Sequence, residues 1–265
     1  MTLLNKIGKS IPLMLVSIDW LKDHFSDQDV IILDTRPKTL FLYGHLTKSQ
    51  SLTIEQVIQF DQYGSNLVID PEKITELFSS IGIDDSKTVV IVGDSMDPSS
   101  ARIAWTFLYF GHGKIHLLDA SIIDLQNNGF ELTKKSFIPK RTTFIPKINS
   151  IIRIDAVHLK ENLNDFIILD ARTPQEFMGG HLPNSKLIPF TEGIGYDGKL
   201  FQNKIFLQNL FSQNKISKDD QIVCYCMHGH RASSLFLQLM IAGYRDVKLY
   251  DGSFVDWYGR RLPLE

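Results

Sequence analysis

Short apolar runs recur along the chain at the length of strands, and longer stretches with one apolar face fall between them. VIILD (30–34), TVVIVG (88–93) and KIHLL (114–118) are compact β-rich runs that end in turn chemistry. FIILD (166–170), QIVCY (221–225) and VKLY (247–250) repeat them later in the chain. DPEKITELFSSIGI predicts a helix with Asp70 as N-cap and Pro71 at its first position. Its Ile74, Leu77, Phe78 and Ile81 then fall on one face, at i, i+3, i+4 and i+7. SARIAWTFLYF and RASSLFLQLMIA predict helices that stop at Gly111 and Gly243, glycine being a common terminator. Alternation of this kind predicts βαβ units, an α/β fold and mainly parallel sheets. Ligands of such sheets sit at the carboxyl ends of the strands.

The pattern is also duplicated. In VIILDTRPKTLFLYGHL, Asp34 and Arg36 stand 136 positions before Asp170 and Arg172 of FIILDARTPQEFMGGHL. Gly44, His45 and Leu46 match Gly180, His181 and Leu182 at the same offset. Residues 89–121 then align without gaps on 221–253 at an offset of 132, setting Asp119 against Asp251 and Gly111 against Gly243. Two matches in the same order predict two tandem domains, 1–131 and 151–265, joined by a linker over 132–150. The joining stretch ELTKKSFIPKRTTFIPKINS carries two prolines, five Lys/Arg and no clean period, and is expected to be a solvated connector. A basic surface for a partner is the alternative.

Composition narrows the classes. At 265 residues, 43% hydrophobic and 22% charged, either half can bury a core. A net charge of −2 gives no field favouring nucleic acid or an acidic membrane. The start, MTLLNKIGKSIPLMLVSIDWL, has too short an apolar run for a membrane span and no small-residue cleavage site. Two cysteines one residue apart cannot build a disulfide framework, and no Cys/His set has the spacing of metal ligands. The expectation is a cytoplasmic protein with no cofactor and no metal.

One of those cysteines, Cys226, opens the stretch CMHGHR between an apolar strand and a helix. Backbone N–H groups at a helix start lack intrahelical acceptors, and the helix dipole adds about half a positive charge there. An anion or a thiolate is stabilised at such a place. Surroundings of this kind bring a thiol from a pKa of about 8.5 to between about 3.5 and 7.5. Gly229 allows close approach or positive φ, and Arg231 adds a fixed charge. Cys224, inside the strand, reads instead as a buried, inert thiol, although as a neighbouring thiol it could rescue or trap an over-oxidised Cys226.

The pattern Cys-x-x-Gly-x-Arg-Ala-Ser resembles the active loop of the tandem-domain rhodaneses, the thiosulfate and 3-mercaptopyruvate sulfurtransferases. LDAR…EFMGGHLPNSKLIPF and LYDGSFVDWYGRRLPL are similar to that family too, so the resemblance runs from about Leu15 to Leu264. It implies two rhodanese-like domains, each a mainly parallel central sheet flanked by helices, with the active loop in the second. The implied chemistry is transfer of a sulfane sulfur from a small-molecule donor to a thiol, a protein thiol or cyanide, through a persulfide on Cys226. Backbone N–H groups from Met227, His228, Gly229, His230 and Arg231 would hold the persulfide, with Arg231 and Arg172 reaching the donor anion. For Arg172 a structural ion pair is the competing role; for His228 and His230 it is exposure without a role. Asp170 orders the strand end, His45 and His181 serve the fold, and Trp257 is core near the site.

Met227 and His228 after the cysteine are closer to bacterial-type thiosulfate enzymes than to 3-mercaptopyruvate enzymes, so thiosulfate is the expected donor. A persulfide carrier in a sulfur relay is the alternative from another class. A phosphatase or arsenate reductase of the same fold is disfavoured by the short loop, with four residues between Cys226 and Arg231. In the first copy Asp94 and Asp97 take the places of Cys226 and Gly229, so that half is expected to be non-catalytic.

Overall fold

The computed structural model describes residues 13–265. The reading of the chain start as lacking a leader falls largely on residues 1–12, which lie outside the described residues.

Two parallel sheets organise the chain. In the first half the strands Leu13–Val16, Ile115–Leu118, Thr88–Val92, Val30–Asp34 and Gln50–Ser51 lie side by side in that order. In the second the order is Ser185–Leu187, Ile167–Asp170, Ile222–Tyr225 and Val247–Leu249. A single parallel bridge from Arg153 to Leu249 takes the place of a fifth strand. A short antiparallel hairpin, Ile58–Phe60 with Asn66–Val68, precedes the helix Pro71–Ser80.

Each central strand is buried on both faces, and its period of two sorts the side chains between them. Val89 and Ile91 pack towards the second half, while Val90 and Val92 pack under the outer helices of the first. Ile222 and Cys224 likewise join the shared core, and Val223 and Tyr225 the outer one. Cys226 continues the series Ile222, Cys224 and so belongs to the face shared with the first half. The helices Ser99–Tyr109 and His230–Ala242 meet there, with Trp105, Phe107, Leu235, Phe236 and Leu239 in one continuous core.

The two halves also exchange an equivalent hydrogen bond. Val68 N–H donates to Asp251 Oδ2 at 2.8 Å, and Leu200 N–H donates to Asp119 Oδ1 at 2.9 Å. Both donors sit just ahead of a helix, Pro71–Ser80 or Lys204–Gln213, and both acceptors just after the last strand of the other half's sheet.

Local signals account for the element ends. Gly243 closes its helix at φ +96°, and Gly111 follows its own at φ +79°. Asp70 and Pro71 begin the helix as expected, yet the Asp70 side chain does not cap it; it accepts from Gln59 Nε2 at 2.7 Å. The connector is largely exposed, as expected, but it is also fastened down. Phe144 is 1% exposed against Phe78, and Thr142 Oγ1 donates to the Ile83 carbonyl at 2.6 Å. Arg141 pairs with Glu76 and Lys147 with Asp85. The stretch is a largely exposed strap tied to the first half through Phe144 and Thr142, while Ile138, Ile145 and Ile148 stay exposed.

Candidate active site

The strand Ile222–Tyr225 carries no polar side chain facing water, and the chain turns as soon as it leaves the sheet, at Cys226. Three bonds from one segment hold that turn. Cys226 N–H donates to Ser253 Oγ at 3.1 Å, Phe254 N–H donates to the Cys226 carbonyl at 3.0 Å, and Val255 N–H to the Met227 carbonyl at 3.2 Å. Ser253 is buried at φ +56°, a left-handed backbone that costs a non-glycine residue energy. Its hydroxyl also donates to the Tyr250 carbonyl at 2.8 Å. In the sequence Ser253 is marked only as a serine two residues after the repeated Asp251.

Gly229 completes the turn at φ +81°, directly before the helix His230–Ala242. Its N–H donates to Cys226 Sγ at 3.1 Å. Its carbonyl accepts from both Ser233 N–H, at 3.1 Å, and Ser233 Oγ, at 2.8 Å. The sulfur therefore rests at the start of a thirteen-residue helix with one backbone donor already aimed at it. Cys226 is 1% exposed.

A cavity of about 340 Å³ opens onto this turn. Cys226, Met227, His228, His230 and Arg231 line one side together with Phe190, and Met96 and Pro98 of the first half line the other. A larger depression of about 480 Å³ lies wholly in the first half, around Lys22, Phe25, Thr47 and Phe130, and is lined by no cysteine or histidine.

The charged and titratable residues fall into two groups. Arg231 makes a two-pronged pair with Glu176, Nη1 to Oε2 and Nη2 to Oε1, both 2.7 Å. That guanidinium holds the Glu176 carboxyl down at about 2. Glu176 also accepts from Thr173 N–H and Oγ1, so Arg231 ties the turn to the segment after the strand Ile167–Asp170. Burial, then Arg231, lowers the His228 pKa, and its Nδ1 has no partner. His230 is half-buried rather than exposed: Asn66 Nδ2 of the first half donates to its Nε2 at 3.0 Å. Burial and the cations nearby bring its pKa to about 3.

Arg172 does not line the cavity. Its Nε and Nη2 bind Asp170 at 2.7–3.0 Å, and Nη2 also donates to the Gly180 carbonyl at 2.8 Å. Arg36, Asp34 and the Gly44 carbonyl repeat the arrangement in the first half. The ion-pair role outweighs the anion contact here, because a planar guanidinium meeting a buried carboxylate in this geometry is satisfied. His45 and His181 stack on Phe41 and Phe177 at 3.8 and 3.7 Å, each ring bound to that residue's carbonyl. Trp257 is buried, with Nε1 donating to the Pro263 carbonyl. Burial pushes the Cys224 thiol well up, as an inert core thiol requires.

Among the described residues no group of three or more His, Cys, Asp or Glu is placed to hold a metal ion. No described helix is long and apolar enough to cross a membrane. An isolated thiol under helix-start donors, beside a small half-apolar cavity, can act as a nucleophile whose product anion is stabilised in place.

Many known proteins are similar to this chain in sequence or fold. The model of the rhodanese-like domain matches residues 17–128 and again 155–260. A protein named sulfur carrier protein TtuD, from Thermus thermophilus, is 30% identical over 276 residues, covering 95% of both chains. The putative thiosulfate sulfurtransferase SseA of Mycobacterium tuberculosis is 28% identical, over 96% of this chain and 91% of its own. The crystal structure of SseA from Escherichia coli, described as a 3-mercaptopyruvate enzyme, superposes with a TM-score of 0.81 at 23% identity, over 92% of this chain and 99% of that one.

Proposed function

The chain belongs to the rhodanese family, with one such domain in each half, and on that premise we propose that it is a sulfurtransferase carrying sulfur on Cys226. The observation that carries this reading is the Gly229 N–H aimed at Cys226 Sγ, 3.1 Å away, at the head of a helix. The catalytic unit is then 151–265, with 1–131 a non-catalytic partner and 132–150 the connection.

Thiosulfate is the proposed donor. Cys226 thiolate attacks its outer sulfur, the sulfur–sulfur bond breaks, and sulfite leaves with the electron pair. The persulfide left on Cys226 carries its negative charge on the terminal sulfur, where the N–H groups of Met227 to Arg231 stabilise it. An acceptor thiolate, or cyanide in vitro, attacks that terminal sulfur and the Cys226 thiolate departs with the pair. 3-Mercaptopyruvate is the second donor to try, the activity named for an Escherichia coli relative at 24% identity.

A different reading is a sulfur carrier loaded by another protein. It is favoured by the pairing of Arg231 with Glu176 and of Arg172 with Asp170, which occupies the two guanidiniums expected to hold a small anion.

The test is the intact mass of purified protein before thiosulfate, after it, and after cyanide, beside Cys226→Ser. Gain of one sulfur atom, its loss to cyanide as thiocyanate, and no gain in the variant are expected. Loading without sustained thiocyanate turnover would favour the carrier, and sulfur gained by Cys226→Ser would overturn the assignment of Cys226.

A further inference from the structure

The helix Ser99–Tyr109 belongs to the half without a cysteine, yet it brings a fully buried arginine against the cysteine turn. Arg102 Nη2 donates to the Asn66 carbonyl at 3.0 Å and stands 3.9 Å from Asp251 Oδ2. Its Nε and Nη1 are buried without a partner. Nη1 lies directly behind Gly229, where a Cβ would come within 2.7 Å of it. Burying a guanidinium with idle donors is costly unless something offsets it. The matching position in the second half is Ser234.

The other guanidiniums facing the turn are paired with carboxylates, and the His230 ring is neutral near pH 7. Arg231 is bound to Glu176 and Arg172 to Asp170. His230 is neutral, with a pKa near about 3, and that of His228 is lowered by burial. The facing loop adds two carboxyls, Asp97, which accepts from Ser99 N–H and Oγ, and Asp94, whose pKa is raised by burial. Behind the turn Asp251 lies between Arg102 and Arg153, one carboxylate against two guanidiniums. Burial brings the Arg102 pKa to about 10, with Asp251 opposing the fall, and so leaves it charged.

We propose that Arg102 is a positioning residue for Cys226: from behind Gly229 its guanidinium supplies the fixed positive charge against which a thiolate or persulfide in the turn is held. A cation kept out of water acts at close range with little screening. The role presupposes that Cys226 is the reactive sulfur, and it makes the first half part of the site's electrostatics.

The experiment is the rate of Cys226 alkylation by iodoacetamide against pH in the full chain, for wild type, Arg102→Gln and Arg102→Lys, with Tm measured for each. In Arg102→Gln the pH of half-maximal alkylation should rise by about one unit, with the rate at pH 7 falling by up to about tenfold, and lysine should restore most of it. A wild-type profile in a folded Arg102→Gln protein would overturn the proposal. If that variant does not fold, Asp251→Asn is compared with Arg102→Met/Asp251→Asn, which removes the buried charges together. A higher half-maximal pH in the double variant supports the role of Arg102, and coincident profiles overturn it. Wild-type Cys226 that resists alkylation at every pH would instead refute Cys226 as the reactive sulfur.

Discussion

Gly229 faces the Asp251 carbonyl so closely that a Cβ at position 229 would stand 2.6 Å from that oxygen. Glycine is therefore required there twice over, once for the φ of +81° and once for the contact. Gly229→Ala is expected to cost about 2 kcal/mol or more, from the left-handed backbone together with the clash. It should also move the N–H away from Cys226 Sγ, so sulfur loading falls at least tenfold in whatever protein stays folded. Thermal denaturation and intact mass after thiosulfate check the two effects separately, and full loading would count against the cradle.

Arg172 and Arg36 offer a matched pair. Each sits in the same buried arrangement with an aspartate two residues earlier, and only one lies in the half with the cysteine. Breaking a buried pair by removing one partner costs about 3–5 kcal/mol. Arg172→Ala and Arg36→Ala are expected to lower stability by similar amounts in urea denaturation. KM for thiosulfate should change no more in the first than in the second. A rise in KM confined to Arg172→Ala would restore that residue to the donor site.

His230 gives a pH signature. Its folded pKa, near about 3, lies below the usual histidine value of about 6.5, so the unfolded chain binds the proton first as pH falls. The stability contributed by neutral His230 is fully present above about pH 6.5 and is lost progressively towards pH 3. Between pH 7 and 5 the loss is about 2 kcal/mol. His230→Asn should flatten that part of the stability curve, and chemical denaturation at several pH values reads it directly. An unchanged slope would mean that the folded ring takes up its proton over the same pH range as the unfolded one.

Asp119 tests how the halves hold together. It accepts Leu200 N–H from the other half, and one apolar core runs across the interface. Calorimetry is expected to show a single unfolding transition, with Asp119→Ala lowering stability by about 1–3 kcal/mol through the orphaned donor. Two separated transitions in the wild-type protein would contradict a shared core.

Much of this was legible in the chain because it is local. VIILD and QIVCY became the strands Val30–Asp34 and Ile222–Tyr225, and the glycines at 111, 229 and 243 all take positive φ. The neighbours of Cys226 in sequence line its cavity for the same reason. Partners far apart in sequence were not legible. Glu176, which occupies Arg231, is 55 residues away, and Asn66, which contacts His230, is 164 away. Asp70 looked like a cap because nothing local announces Gln59 as a competing donor. Arg102 was hidden by the reasoning that set the first half aside. A lone charge in SARIAWTFLYF, opposite Ser234, was the clue.

The reciprocal bonds Val68 to Asp251 and Leu200 to Asp119 are what two subunits of a symmetric dimer would make across an isologous interface. In a true homodimer every substitution is made twice, so a site at the interface must tolerate its own mirror image. Joining the two copies in one chain removes that constraint. One copy could exchange its cysteine position for Asp94 and its serine position for a buried arginine, while the other kept the reverse. The fused chain retains the dimer's packing without the dimer's obligation to be the same on both sides.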